Sequence, residues 1–373
     1  MARAASSGKR IRYAVVGLGH ISQVALLPAM GKAKANSELA ALVSGDRTKL
    51  RRLGRKYRVK TLIDYKGYDA LMASGDIDAV YIGLPNHLHR DFVVRAAQAG
   101  VHVLCEKPLG LDARECRDMI RACERSKVRL MVAYRLHFAP SNLRAIEIIR
   151  AGALGEIRIF DSVFSMQVGA GNIRLGPIRK GGGTVYDIGI YCINAARYLF
   201  RAEPEEVVAF RGNNGQKRFR KADEMTGGML RFPGDGIATF VSSFGAADVS
   251  RYEVVGSKGK LVLEEAYGYS KPSRLTVTTE RGTRIHEFEA SDQFAPELLH
   301  FSECILNGRI PGPAGEEGLA DARIIDAIHR SAESGRPVQL APFRRTRRPT
   351  AGQMRRKPRS PKPPTVRADS PRR

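Results

Sequence analysis

Three short segments of this chain carry the side chains needed to move a proton at a hydroxyl-bearing carbon. Glu106-Lys107-Pro108 follows the apolar run Val101–Cys105, and Leu84-Pro85-Asn86-His87 follows Ala79–Gly83. The third, Tyr186-Asp187-Ile188-Gly189-Ile190-Tyr191, comes after a run of three glycines at 181–183. An ammonium, a carboxylate and a phenol held together make an acid–base set for a carbinol that loses hydride, because its hydroxyl proton must leave too. Asp187 and Tyr191 stand four apart, so one face of a helix would present both. Spacing alone leaves plainer readings open. Lys107 can be a salt-bridged rim residue, Asp187 a helix N-cap, Tyr191 a core aromatic and His87 a structural loop histidine.

A second set reads as a nucleotide site. Gly17-Leu18-Gly19-His20-Ile21-Ser22 follows the run Arg12–Val16 directly and opens a helical segment. The first glycine permits a tight turn, and the second lets the backbone approach a pyrophosphate at the helix N-terminus. Ser22 stands where the fingerprint has its third glycine. Beyond the next run, Leu39–Val43, Ser44 holds the strand tip where an NAD enzyme places a carboxylate, with Arg47 and Lys49 close behind. A hydroxyl with nearby cations suits a 2′-phosphate, so NADP is expected. Asp46 could reach a 2′-hydroxyl and keeps NAD open, and Arg47 and Lys49 also read as a solvated helix start.

The elements that must position these groups alternate in the first third of the chain. Strand-like runs at Arg12–Val16, Leu39–Val43, Ala79–Gly83, Val101–Cys105 and Arg129–Ala133 are separated by helical patterns such as Phe92–Gln98 and Ala113–Ser126, the latter opened by Asp112 and Glu115. Alternation of this kind predicts right-handed βαβ units and a doubly wound parallel sheet, the Rossmann arrangement, with the three segments at its carboxyl edge. After Pro140 the pattern changes. Helices are expected at Leu143–Arg150 and Tyr186–Phe200. Short runs from Val207–Phe210 to Leu275–Thr278 lack helices between them and predict a mainly antiparallel sheet, covered by two closing helices near Glu297–Leu306 and Leu319–Ser334. The division is therefore an extension at 1–10, a Rossmann domain at 11–135, an α/β substrate domain at 136–340 and a tail at 341–373.

Composition bounds the rest. The chain has 373 residues, 43% hydrophobic and 27% charged, which suits two globular domains. Its net charge of +24 is concentrated at the end: residues 341–373 hold twelve Lys/Arg against one Asp and seven of the nineteen prolines. That tail is expected to be disordered and dispensable, with contact to nucleic acid a minor alternative. The five cysteines, Cys105, Cys116, Cys123, Cys192 and Cys304, form no CxxC pair and lie in apolar patterns. They read as reduced, packed thiols, with no metal site. With neither a signal-like start nor an apolar stretch of about 20 residues, a soluble cytoplasmic protein is expected.

GLGHIS (17–22), NHLH (86–89), EKP (106–108) and YDIGIY (186–191) together resemble the Gfo/Idh/MocA oxidoreductase family. SGDRTK (44–49), YRLH (134–137), GGGTVYDIGIYCINAARYLF (181–200) and FGAADVS (244–250) are most similar to its glucose–fructose oxidoreductase group. The likeness runs over about residues 11–340. It implies an NADP-dependent oxidoreductase that transfers hydride between a sugar and the nicotinamide, oxidising an aldose at C1 to the lactone. By the same resemblance Lys107 and Tyr191 act at the hydroxyl being oxidised and Asp187 orients the substrate, with Arg135 a further contact to sugar hydroxyls. Gly17, Gly19, His20, Ile21, Ser22, Ser44, Lys49, Pro85, Asn86, His87, Glu106 and Lys107 would surround the cofactor. A homodimer or homotetramer is implied as well. Only ten residues precede Ile11, where that group has an export signal and a cofactor-wrapping arm, so neither is expected here. The alternative is a regulator of the same fold that senses a sugar or nucleotide and has lost turnover; the intact Lys107, Asp187 and Tyr191 argue against it.

Overall fold

The computed structural model describes residues 8–344 and 347–372. Most of the 1–10 extension lies outside them. Six parallel strands form the first sheet: β1 (Ile11–Val16), β2 (Ser37–Val43), β3 (Thr61–Ile63), β4 (Ala79–Ile82), β5 (His102–Glu106) and β6 (Leu130–Ala133). Their order is β3-β2-β1-β4-β5-β6. Every residue of β4 and β6 is buried, as helices on both faces require. The edge strand β3 was not among the expected runs. It is three residues long and only partly buried, so it carries almost no apolar signal.

The order in which strands are added reverses between β1 and β4, which opens a crevice at their carboxyl ends. Gly17 sits there with φ of 87°, and a Cβ on it would stand 2.4 Å from the Gly83 carbonyl oxygen. Glycine is required by both the conformation and the contact.

The second sheet has nine strands: β7 (Ile157–Ser165), β8 (Glu206–Gly212), β9 (Met225–Phe232), β10 (Gly236–Ser243), β11 (Val249–Gly256), β12 (Gly259–Glu264), β13 (Ser273–Thr279), β14 (Gly282–Phe288) and β15 (Val338–Gln339). In the order β14-β13-β12-β11-β7-β10-β9-β8-β15 every pair is antiparallel except β7 with β10. The sequence reading had no strand at β7, yet it is the central one. Its inner residues, Phe160, Ser162 and Phe164, are buried, while Ile159 and Val163 face out with Met229, Val241 and Phe210 on neighbouring strands.

The closing helices differ from expectation. The helix Phe294–Leu306 covers the Rossmann sheet rather than the second sheet: Phe294, Leu298 and Phe301 share a core with Tyr13, Val15 and Leu27. The Tyr13 hydroxyl lies 2.7 Å from Ser302 Oγ. The helix Gly315–Ser334 lies between the domains. A Cβ on Gly318 would be 2.5 Å from Leu109 Cβ, and Asp326 accepts from the Ala113 N–H at 3.1 Å. Sequence order therefore overstates the separation of the two units.

The tail also departs from the disordered segment expected. Arg348 pairs with Glu203 at 2.8 Å, Gln353 donates to the Gly312 carbonyl at 2.9 Å, and Asp292 N–H donates to the Lys357 carbonyl at 3.0 Å. Composition measures apolar burial, whereas these contacts are polar and depend on what the folded body offers. No helix among the described residues is long and apolar enough to cross a membrane.

Candidate active site

A cleft of about 680 Å³ runs along the carboxyl edge of the first sheet and under the second. It is lined by Gly17, Gly19, His20, Ile21, Ser44, Lys49, Pro85, Asn86, His87, Glu106, Lys107, Arg135, Asp187 and Tyr191, which gathers all but one of the sequence-derived site residues. The exception is Ser22. Its side chain is fully buried and donates to the Gly17 carbonyl at 2.6 Å, so it fixes the turn from behind. A glycine there would lose that bond.

One end of the cleft fits a dinucleotide. A Cβ on Gly19 would meet nothing within 4 Å, so the backbone lies open to a ligand at the start of the following helical turn. Nδ1 of His20 and Nδ1 of His87 are buried on this wall without a protein hydrogen-bond partner. Burial pushes the His20 imidazole below its ordinary pKa. Ser44 and Lys49 line the far end with Tyr65, which sequence reasoning missed. Asp46 is engaged elsewhere: its Oδ1 accepts from Thr48 N–H at 2.8 Å and Lys49 N–H at 3.1 Å, capping the helix Arg47–Tyr57. The carboxylate that kept NAD open is thus a helix cap.

Loop contacts hold the middle of the site. In NHLH the second histidine, His89, is structural: its ring nitrogens lie 2.8 Å from the Pro108 carbonyl and 2.9 Å from the Leu84 carbonyl, tying the two loops together. Asn86 donates to the Gly181 carbonyl at 2.8 Å. Gly181 has φ of 81°, and a Cβ on it would come within 2.5 Å of Asn86 Nδ2, so the glycine run lets the second domain close on the first. Glu106 accepts from the Tyr81 hydroxyl at 2.7 Å, and burial pushes its carboxyl up.

The other end holds the acid–base set. Asp187 lies in a π-helical turn, Val185–Gly189, from which the α-helix Ile190–Phe200 continues. The wider turn changes the simple i, i+4 face expected from spacing. Lys107 Nζ donates to Asp187 Oδ1 at 3.1 Å and to the Asp187 carbonyl at 2.6 Å, while Arg174 Nε donates to Oδ2 at 2.5 Å. Burial alone would raise the Asp187 carboxyl, but Arg174 and Lys107 hold it far below the usual range. Burial likewise opposes the Lys107 ammonium, but Asp187, Tyr191 and Glu106 together outweigh it, so its pKa is raised. The Tyr191 ring lies between two cations, with Lys107 Nζ and Arg135 Cζ each 4.9 Å from its centroid.

Arg135 is more constrained than the sequence implied. It donates to Gln293 Oε1 and to the Tyr267 carbonyl, both at 2.7 Å, and its guanidinium also stacks on Tyr269. Arg174, Tyr267 and Tyr269 went unrecognised in the sequence. They sit in irregular loops where neither periodicity nor a fingerprint marks them, although the aromatic pair around Gly268 after the Leu261–Leu263 run was a usable hint.

This fold and cleft define a two-domain oxidoreductase built on a dinucleotide-binding sheet. Residues 11–134 match the model of an oxidoreductase family with an NAD-binding Rossmann fold, and residues 142–262 match the GFO/IDH/MocA C-terminal domain. The chain belongs to the Gfo/Idh/MocA family. It is similar to the aldose-aldose oxidoreductase of Caulobacter crescentus, whose solved structure with glycerol shares 37% identity, covers 89% of this chain and 100% of that one, and superposes with a TM-score of 0.85. The NADP(+)-dependent D-xylose 1-dehydrogenase 2 of Haloferax volcanii is 33% identical over 332 residues, 88% of this chain and 99% of that protein. A 3-ketoreductase of Actinomadura kijaniata, solved with NADP and TDP-benzene, is 28% identical with a TM-score of 0.78, covering 87% of this chain and 98% of that one.

Proposed function

We propose that this protein is an NADP-dependent sugar oxidoreductase that oxidises a cyclic aldose at C1 to the lactone. The observation that carries the reading is the Lys107–Asp187–Tyr191 cluster, which shares one cleft with the open Gly17–Ile21 turn. The relatives support it, since they include an aldose-aldose oxidoreductase and NADP(+)-dependent D-xylose dehydrogenases.

In this reading NADP⁺, when bound, would supply the hydride acceptor. The Gly17–Ile21 turn takes the pyrophosphate, Ser44 and Lys49 take the 2′-phosphate, and Pro85, Asn86, His87 and Glu106 border the nicotinamide half. The sugar stands against Tyr191 and Lys107. As hydride leaves C1 for the nicotinamide, Tyr191 in its phenolate form accepts the C1 hydroxyl proton, and the Lys107 ammonium donates a hydrogen bond to the oxygen becoming a carbonyl. Asp187 has both carboxylate oxygens in ion pairs, so its role is to hold Lys107 and Arg174 in place. Arg135, bound to Gln293 and Tyr267, acts as a wall behind Tyr191.

A cytoplasmic location fits the five free, buried cysteines. The outer face of the second sheet, with Phe210 73% exposed and Met229 48% exposed, suits pairing of two copies.

The test is a panel of aldoses and ketoses with NADP⁺ and NADPH, followed by nicotinamide absorbance in a single turnover. Reduction of NADP⁺ by an aldose, with lactone as product, is the expected result. Tight sugar and nucleotide binding without hydride transfer across the panel would favour the regulator instead.

A further inference from the structure

One wall of the cleft comes from the basic, proline-rich tail of the chain. Within the tail, Lys362, Ser370, Pro371 and Arg372 line the same cleft as Gly19, His20 and Tyr191.

The path of residues 357–372 is set by contacts on both lips of that cleft. On the second-domain side, Asp292 N–H donates to the Lys357 carbonyl at 3.0 Å, and Arg359 donates to the Ser270 carbonyl at 2.9 Å. The segment then crosses to the dinucleotide-binding side. Val366 N–H donates to Gln23 Oε1 at 2.7 Å, and Gln23 Nε2 donates back to the Val366 carbonyl at 3.0 Å. Gln23 is buried in the helical turn that follows the glycine loop and also donates to the Leu18 carbonyl at 2.9 Å, so the segment is clamped to that loop. Arg367 pairs with Asp46 at 3.6 Å beside Ser44. The segment returns to the second domain, where Arg372 pairs with Asp248 at 2.6 Å and bridges Val168.

Charge along this wall is unbalanced. Lys107 and Arg174 share Asp187, and Arg372 has Asp248. Lys362 has no ion pair among the described residues; its Nζ stands 5.7 Å from the centre of the Tyr269 ring, with the cleft beside it. Burial, together with Arg359 and Arg372, pushes the Lys362 ammonium below its ordinary pKa, the mark of a cation lacking its anion.

We propose that residues 357–372 are a strap over the dinucleotide, in which Lys362 contacts the cofactor's pyrophosphate and the crossing slows cofactor release. The inference rests on the NADP reading above. A dinucleotide seated on the Gly17–Ile21 turn lies beneath the strap, and leaving requires the Gln23–Val366 and Arg372–Asp248 contacts to open. Because a pyrophosphate is common to NADP and NAD, the Lys362 contact strengthens both, unlike a contact to the 2′-phosphate.

The experiment measures Kd and dissociation rate of NADP⁺ and NAD⁺ by quenching of protein fluorescence and stopped-flow displacement. It compares the full chain, the full chain with Lys362→Ala, and a chain ending at Arg356, with melting temperatures checking that each is folded. Lys362→Ala is expected to weaken both nucleotides by a similar factor, on the order of tenfold or more, as for loss of a hydrogen bond to a charged group. The shortened chain is expected to release both at least as much faster. If the full chain binds NADP⁺ while both variants keep its affinity and release rate, the strap is overturned and the cofactor reading stands. Faster release from the shortened chain alone overturns the assignment to Lys362. If the full chain binds neither nucleotide, the cofactor reading fails and takes the strap with it.

Discussion

Lys107 Nζ reaches Asp187 twice, at 3.1 Å to the carboxylate and 2.6 Å to the backbone carbonyl, across 80 positions of sequence. This pair joins the end of β5 in the first domain to the π-helical turn of the second, so the Lys107–Asp187 contact exists only where the two domains meet. It also gives Asp187 a lysine partner that the sequence did not show.

Asp187→Asn tests the importance of that pairing through pH. The Asp187 charge raises the Lys107 pKa against the effect of burial, so removing it lets burial weigh more and the ammonium is lost at lower pH. The basic limb of the kcat/KM profile is expected to move acidward. The stability linkage runs the other way. Because the folded carboxyl is depressed, its contribution is fully present above about pH 4, the unfolded carboxylate range, and is lost as pH falls toward the folded value. An unmoved basic limb would mean that Asp187 does not set the state of Lys107.

Lys107→Ala and Tyr191→Phe address the chemistry directly. Each is expected to lower single-turnover hydride transfer on the order of 10²–10⁴. NADP⁺ binding should survive in both, because the turn at Gly17–Ile21 and the Ser44 end are untouched. The Tyr191 ring lies 4.9 Å from Lys107 Nζ, so the two should act as a unit, and the double variant should fall well short of the product of the single losses. Near-normal transfer in both single variants removes them from the mechanism.

Cofactor choice is expected to rest on Lys49 at the Ser44 end of the cleft. Asp46 caps the following helix through Oδ1 and pairs with Arg367 through Oδ2, which leaves Lys49 as the cation at that end best placed to meet a 2′-phosphate. Lys49→Ala should raise the Kd for NADP⁺ by about 10- to 100-fold and leave NAD⁺ nearly unchanged. Equal losses for both nucleotides would show that Lys49 does not read the 2′-phosphate.

The open face of the second sheet should pair two copies. Phe210, Met229 and Val241 lie on adjacent strands in register, Phe210 and Val241 flanking Gly227. Phe210→Asp together with Val241→Asp is expected to shift the sedimentation coefficient from dimer toward monomer with the fold retained. A monomeric parent chain in the same experiment would assign that face no such role.

Much of this was legible in the sequence, because local rules governed it. Strand–helix alternation specified the parallel sheet, since each apolar run needed cover on both faces, and the first glycine of GLGHIS is demanded by the positive φ and close backbone approach at Gly17. Once the sheet was inferred, the ends of its strands gave the places of Lys107, Asn86 and His87. What the sequence could not decide were interactions between distant positions. Ser22 turned inward to Gly17 instead of toward the ligand, and Asp46 became a cap, because competing partners stood closer. The partner of Lys107 was settled only when Asp187 arrived from the other domain. The helix Phe294–Leu306 covered the first sheet because that face was the one left bare. The tail was misjudged for the same reason: its composition offers little apolar surface to bury, but Gln23, Asp46 and Asp248, spread over more than 200 positions, supply in the folded body the polar contacts that hold it across the cleft.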